Sequence, residues 1–205
     1  MATLKLYAPP ADASLTTHLL AAAHFAAVKH RFQKRKDGGS TPYINHPLGV
    51  AALLANEAHV DKLPVLMAAI LHDTVEDTDT SHDELVTHFG AEVARIVAEV
   101  TDDRRLASAD RKRAQVEMAA KKSADAQLVK LADKCYNLRD LCRQVPVGWT
   151  VARVQQYFAW SKSITDQIKH VNPHLERLLD DLYTGGTFTL DGSTHKCLVV
   201  VSAVE

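Results

Sequence analysis

Along most of the chain, apolar residues return every three or four positions, the spacing of a single buried helical face. Leu15, Leu19, Leu20, Ala23, Ala27 and Phe32 form such a series, and Ser14 ahead of them is placed to cap it. That helix is expected to stop before the turn-rich Asp37-Gly38-Gly39-Ser40-Thr41-Pro42. A second opens at His46-Pro47, where proline suits a first turn that needs no N–H donor, and runs through Val50, Leu53 and Leu54 to about His59. Pro64 begins a third, with Leu66, Ala69, Ile70 and Leu71 apolar, and it reaches His72-Asp73. Ser81 and Glu84 have the spacing of a capping box, and Gly90 after Phe89 reads as a stop. Helices then follow over Glu92–Val100 and, past a polar link, Asp110–Lys121. Ala124–Arg143 is the clearest amphipathic stretch, carrying Leu128, Leu131, Cys135, Leu138 and Leu141. Thr150–His170 and Pro173–Leu182 complete the series, the last with Asn172 as cap and Pro173 in its first turn.

After Tyr183 the pattern changes. Thr184-Gly185-Gly186 ends the helices, and Thr187–Leu190 and Lys196–Val201 flank Asp191-Gly192 as the two arms of a hairpin would. A disordered tail is the competing reading, and neither gives this segment any chemistry. The expected architecture is all-α, a compact helical bundle over residues 14–183 with a short non-helical tail over 184–205.

Composition agrees with that pattern and narrows the function. Among 205 residues, Gly (8) and Pro (7) are both scarce, which disfavours low-complexity and collagenous chains. The 24 Lys+Arg balance 25 Asp+Glu, so no overall charge draws the chain to nucleic acid or to an anionic membrane. No apolar run approaches the roughly 20 residues that span a bilayer. Met1–Ser14 has no continuous apolar stretch of the kind a secretory signal needs. Cys135, Cys142 and Cys197 are too few for a disulfide framework, and the first two are expected to pack as small apolar groups. The chain reads as soluble, reduced and cytoplasmic.

The densest chemical signal is His72-Asp73-Thr74-Val75-Glu76-Asp77. On a helix end, four-residue spacing puts His72 with Glu76, and Asp73 with Asp77, on nearly one face. So many carboxylates beside an imidazole repel one another unless a cation is shared; a solvated acidic helix end is the plainer alternative. Two further segments favour the cation. Thr41-Pro42-Tyr43-Ile44-Asn45-His46 places a histidine at a helix start, and Asp133 lies on a largely apolar helix with Asn137 and Asp140 on the same stripe. His46, His72, Asp73 and Asp133 together make a mixed nitrogen and oxygen donor set. It suits Mn²⁺, Fe²⁺ or Zn²⁺ and excludes a cysteine-based structural zinc site.

The set His46, His72-Asp73 and Asp133 resembles the metal signature of HD-domain phosphohydrolases. Arg35-Lys36-Asp37, Tyr43-Ile44-Asn45-His46-Pro47, His72–Asp77 and Val129–Leu141 are similar to the RelA/SpoT hydrolase branch, and within it to the stand-alone alarmone hydrolases. The resemblance spans roughly Ser14 to Tyr183. It implies an all-helical fold, usually with Mn²⁺, that removes the 3′-pyrophosphate from (p)ppGpp to leave GDP or GTP. It also implies metal ligands at His46, His72, Asp73 and Asp133, and an acidic pair, Glu76 and Asp77, acting on the attacking water and the leaving group. Arg35 would lie beside the guanine, Lys36 near phosphate, Asn137 at the ribose and its phosphates, and Arg153 with Tyr157 as a pair on the substrate side. Ser108-Ala109-Asp110 is less basic than that pattern, which leaves one phosphate contact open. A chain of this length has no room for the family's synthetase domain, so hydrolysis alone is expected.

Other residues carry less. His18, His24 and His30 recur every six positions and do not hold one helical face; His82 and His88 belong to an ordinary capped helix. Arg111-Lys112-Arg113 reads as a solvated face, Asp102-Asp103-Arg104-Arg105 as a solvated link with local ion pairs, and Trp160 as core. Two other functions remain open: removal of the 2′-phosphate of NADPH in the same site, and nucleotide sensing without turnover. Partners beyond a small guanosine polyphosphate are not implied, and the oligomeric state is open.

Overall fold

The structure, a computed structural model, describes residues 5–199. Its helices are α1 Leu15–Lys29, α2 Asn45–Asn56, α3 Leu63–Leu71, α4 Thr74–Asp77, α5 His82–Val100, α6 Ser108–Met118, α7 Ala124–Arg143, α8 Val151–Thr165 and α9 Pro173–Gly185. Short 3₁₀ turns follow α6 and precede α9, and a hairpin of β1 Thr187–Leu190 and β2 Ser193–Lys196 closes the described chain.

The hub is α3. Val65, Met67, Ala68, Ala69, Ile70 and Leu71 are all buried, and the helix packs against α1, α2, α5 and α7. With every face covered, it has no polar side to show the solvent, which is why its sequence is almost continuously apolar. Burying each of its larger side chains contributes about 1.5–3 kcal/mol. Around it, the helix starts use their own side chains: Ser14 accepts from the Thr17 N–H, Ser81 from Glu84, Ser123 from Ala126, Thr150 from Arg153, and Asn172 from His174 and Leu175. Each satisfies donors that the first turn leaves unpaired.

Several boundaries differ from expectation. α1 ends at Lys29 rather than continuing past Phe32, which is 83% exposed. Residues 33–43 instead fold back as a closed loop, with the Arg35 N–H on Thr41 O at 2.9 Å and the Tyr43 N–H on Gln33 O at 3.0 Å. α2 ends at Asn56, and His59 takes a positive φ of 54° that no helix allows. Gly90 breaks the helix as expected: at φ 83° and ψ 165° it is not helical, and α5 is two helical segments joined across that kink. α6 starts earlier than expected, at Ser108, and α8 ends at Thr165.

The segment His72–Asp77 is not one helix. α3 ends at Leu71, and the Thr74 hydroxyl donates to Leu71 O at 2.7 Å, turning the chain before α4 begins. The break lies between Leu71 and Thr74; Asp73 caps α4 and its carbonyl accepts the Asp77 N–H at 2.8 Å, so those two stay one helical turn apart.

The tail is a hairpin over 187–196, but its second arm is Ser193–Lys196 and not the apolar run beginning at Lys196. Asp191 and Gly192 both have positive φ, 49° and 77°, so the chain reverses in two residues and Leu190 must pair with Ser193. Val200 and Val201, assigned to that arm from the sequence, lie outside the described residues. Phe188 is buried against the helices, as is Cys197 just past β2.

Candidate active site

α2, the end of α3 and the middle of α7 meet around a buried cluster. His46 sits in the first turn of α2, His72 directly after α3, Asp73 one residue on, and Asp133 midway along α7. His46 Nε2 lies 3.2 Å from Asp133 Oδ1 and 3.6 Å from Asp73 Oδ2, and His72 Nε2 lies 3.1 Å from Asp73 Oδ2 and 3.8 Å from Asp133 Oδ1. Donors bonded to one ion at about 2.1 Å stand roughly 3 Å apart, so these separations match a shared cation. His46, His72 and Asp133 each offer an atom within 4.8 Å of the others.

The tautomer of His72 supports the same conclusion. Its Nδ1 lies 2.8 Å from Ala69 O, and because a carbonyl only accepts, Nδ1 carries the proton. Nε2 is then the ring atom that faces the cluster, buried and 3.1 Å from Asp73 Oδ2, where the carboxylates hold a proton until a cation takes its place. A backbone carbonyl behind one ring nitrogen with the other turned to the ligand cluster is the usual arrangement of a metal-binding histidine. The field is strongly negative: burial opposes charge on His72, yet Asp73 and Asp133 outweigh it and push its pKa up to about 9. Asp73 and Asp133 are both held well below the ordinary carboxylate range; burial opposes this, His72 and His46 lower Asp73, and Lys134 with both histidines lowers Asp133. A divalent cation fits this donor set and its charge.

Each acidic member is held from behind. Tyr43 donates its hydroxyl to Asp73 Oδ2 at 2.6 Å, and burial followed by the charge of Asp73 keeps that phenol protonated. Asn137 Nδ2 donates to Asp133 Oδ1 at 2.6 Å, and the Lys134 ammonium lies 3.6 Å from Asp133 Oδ2 with its other side over Trp160. His46 is flanked by the Tyr43 and Tyr136 rings. Tyr136 fits there only because position 49 is glycine, where a Cβ would come within 2.1 Å of the ring.

Beside the cluster opens a cavity of about 760 Å³. His46, Arg35, Lys36, Asn137, Asp77 and Tyr157 line it, joined by Lys34, Arg104 and Arg143 as further cations and by Trp149 and Tyr136 as aromatic walls. Arg35 is fixed, its guanidinium donating to Asp140 at 2.7 Å and to Asn137 Oδ1 at 3.2 Å. Lys36 is exposed on the rim. Arg153 does not join them: it is exposed, outside the lining, with its guanidinium 4.5 Å above the Trp149 ring. The pair read from the sequence is thus split, Tyr157 inside and Arg153 behind Trp149.

Glu76 and Asp77 occupy α4; Asp77 lines the cavity, whereas Glu76 does not and turns toward the link ahead of α6. Glu76 accepts the Asp102 N–H at 3.2 Å. Its pKa is raised by burial, with the Asp102, Asp73 and Asp77 carboxylates adding to the effect. Asp77 is raised too, by burial and then by Asp73, while Arg104 pulls the other way. Arg104 donates to Asp77 and its Nε lies 3.8 Å from Glu76.

The link Asp102–Arg105 is therefore not merely solvated. Asp103 and Arg105 do pair locally, but Asp102 and Arg104 reach back to the acidic pair. Nothing in the local sequence distinguishes Arg104 from Arg105; only the fold does. Tyr43 was legible as part of a motif but not as the support of Asp73. Trp160 is half-buried rather than core, its indole N–H donating to Lys112 O at 3.2 Å. Cys142 is partly buried and packs against the core, where it faces Cys197.

A family model described as "HD domain" matches residues 22–158. The chain is 54% identical over 177 residues to the guanosine-3′,5′-bis(diphosphate) 3′-pyrophosphohydrolase MESH1 of Mus musculus, covering 86% of this chain and 99% of that protein. It is 55% identical over 170 residues to its Homo sapiens counterpart, covering 83% and 95%. Among solved structures, one described as a metazoan ortholog of SpoT that hydrolyses ppGpp superposes with a TM-score of 0.80 at 46% identity, covering 89% of this chain and 97% of that one. The chain belongs to the HD-domain family, in the RelA/SpoT hydrolase branch and beside the metazoan SpoT homologue.

Proposed function

We propose that this protein hydrolyses (p)ppGpp at the ribose 3′ position, releasing pyrophosphate and GDP or GTP. The observation that carries this reading is the acidic pair on α4 near a buried His/Asp cluster, with Asp77 opening onto a cavity lined by cations and aromatic rings. A binding module has no use for two carboxylates with raised pKa values beside a polyanion; a hydrolase does.

His46, His72, Asp73 and Asp133 would hold one divalent ion, Mn²⁺ in our reading. Bound there, such an ion lowers the pKa of water and polarises a phosphoryl oxygen. The residues do the rest. Glu76, fixed by the Asp102 N–H and raised in pKa by burial, orients the water that attacks the 3′ phosphorus and takes its proton. Asp77 serves the departing ribose oxygen, to which a proton must be delivered as the P–O bond breaks. Arg35 is already locked in place, so it meets the guanine at little cost in ordering. Lys36 and Asn137 meet the phosphates and ribose. Tyr157 closes the purine side, with Arg153 acting through the Trp149 ring. The hydrolase unit is residues 14–183, the tail over 184–205 packs its hairpin on that unit through Phe188 and Cys197, and the setting is cytoplasmic.

The test is pyrophosphate release from ppGpp by chelator-stripped protein, before and after Mn²⁺ is added. Activity restored by Mn²⁺ and absent from Glu76→Gln protein that retains the ion is the expected result. Bound metal without pyrophosphate would overturn it; phosphate release from NADPH would then identify the other substrate, and silence on both would leave a sensor.

A further inference from the structure

Two of the three cysteines meet. Cys142 lies in the last turns of α7 and Cys197 directly after β2, and their sulfur atoms are 3.6 Å apart across 55 residues of chain. Cys142 is half-buried and Cys197 fully buried. A disulfide needs its sulfurs about 2.05 Å apart, so a side-chain movement of about 1.5 Å closes the gap. The two thiols are also unequal. The contact with Cys197 draws the Cys142 thiol below its ordinary pKa, and the Arg143 charge adds to this, whereas Cys197 is pushed up by the same contact and by burial. Cys135 is the built-in contrast: fully buried, with burial pushing its pKa up to about 11.

The position matters because Cys142 borders the functional cavity while Cys197 belongs to the hairpin packed behind it. Leu141 and Arg143, on either side of Cys142, line the cavity, and Asp140 holds Arg35. Beyond its chain connection to α9, the hairpin is held to the bundle by noncovalent contacts: buried Phe188, the Cys197 N–H on Gly186 O at 3.0 Å, and Gln155 Nε2 on Lys196 O at 3.1 Å.

We propose that Cys142 and Cys197 form an oxidative modification site, in which a hydroperoxide converts the two thiols to a disulfide that clasps the hairpin to α7. The Cys142 thiolate attacks the peroxide oxygen, breaking the O–O bond; Cys142 becomes a sulfenic acid and the peroxide leaves as water or alcohol. The Cys197 sulfur then attacks the Cys142 sulfur, the S–S bond forms and the hydroxyl leaves as water. Two thiols are oxidised and one peroxide is reduced. Thiolate character and a resolving partner make this pair, and not Cys135, the reactive one.

The experiment treats the intact protein with one equivalent of hydrogen peroxide and needs no assumption about its substrate. Expected are a loss of two mass units from the monomer, one free thiol in three after denaturation, a 142–197 cross-linked peptide, and a melting temperature raised by roughly 5 °C or more over the reduced form. Dithiothreitol should reverse all four. Cys142→Ser and Cys197→Ser proteins, each with two thiols left, should form no intramolecular bridge and show no rise. Three free thiols after peroxide, a cross-link through Cys135, or a 142–197 bridge that leaves the melting temperature unchanged would each overturn the proposal.

Discussion

α7 and α6 follow one another in the chain and differ in nearly everything that matters for catalysis. α7 buries ten of its twenty residues, among them Asp133 and Lys134, while α6 buries none. The stretch ahead of α6 holds to the site through Arg104, 57% exposed, and the Asp102 N–H. One side of the site is therefore set in the core, and the other is moored by hydrogen bonds and ion pairs at the surface. The cluster that must hold fixed geometry is on the first. The contacts to the acidic pair, which must accommodate an arriving polyanion, are on the second. Surface ion pairs contribute only about 0–1 kcal/mol and exchange readily, so on the proposed reading a substrate phosphate would have little to overcome in drawing Arg104 from Asp77.

Substitutions can test that division. The largest effect is expected at Asp133→Ala, which removes a cluster member and leaves Lys134 buried without its carboxylate. It should abolish metal retention and activity and cost about 3–5 kcal/mol, measured by metal content, turnover and denaturant unfolding. Intact metal binding in that protein would break the comparison outright. Glu76→Gln should come next, with kcat down about 10²–10⁴-fold, metal retained and stability unchanged. Because Glu76 must be deprotonated to accept a proton, its raised pKa sets the acid limb of the kcat profile above the ordinary glutamate range. Activity is present above that limb and lost as pH falls through it, and the limb should vanish in the Gln protein. Arg104→Gln should lower kcat about tenfold while moving stability by less than about 1 kcal/mol. Arg105→Gln, whose charge meets only Asp103 among the described residues, should leave kcat unchanged and so separates two adjacent arginines that look alike in sequence.

What could be read in advance followed from local rules. Ala124–Arg143 is bounded as its apolar spacing predicted, and Ser14, Ser81 and Asn172 cap the helices expected of them. His46, His72, Asp73 and Asp133 could be named because each falls in a distinctive short segment, and the fold brings all four within contact. The bend after Leu71 was not legible, because it depends on Thr74 donating to a carbonyl that a continuing helix would otherwise use. Nor was the reach of Arg104, the stacking of Arg153 on Trp149, or the meeting of Cys142 with Cys197. Those depend on which distant segments the bundle sets side by side, and no periodicity records that. The hairpin's second arm was misplaced for a simpler reason: apolar content drew attention to 197–201, while the turn geometry had already chosen 193–196.

The wrapping of α3 on all sides has a consequence for how the site comes into being. His72 is delivered by a helix that has nowhere to pack until α1, α2, α5 and α7 are assembled around it. No fragment of the chain then carries a preformed chelate, and an ion bound by this cluster binds the folded protein alone. Its affinity adds to the stability of the fold by mass action. Metal occupancy and global unfolding become two readings of one equilibrium, and withdrawing the ion with a chelator should lower the unfolding midpoint as well as the rate of catalysis.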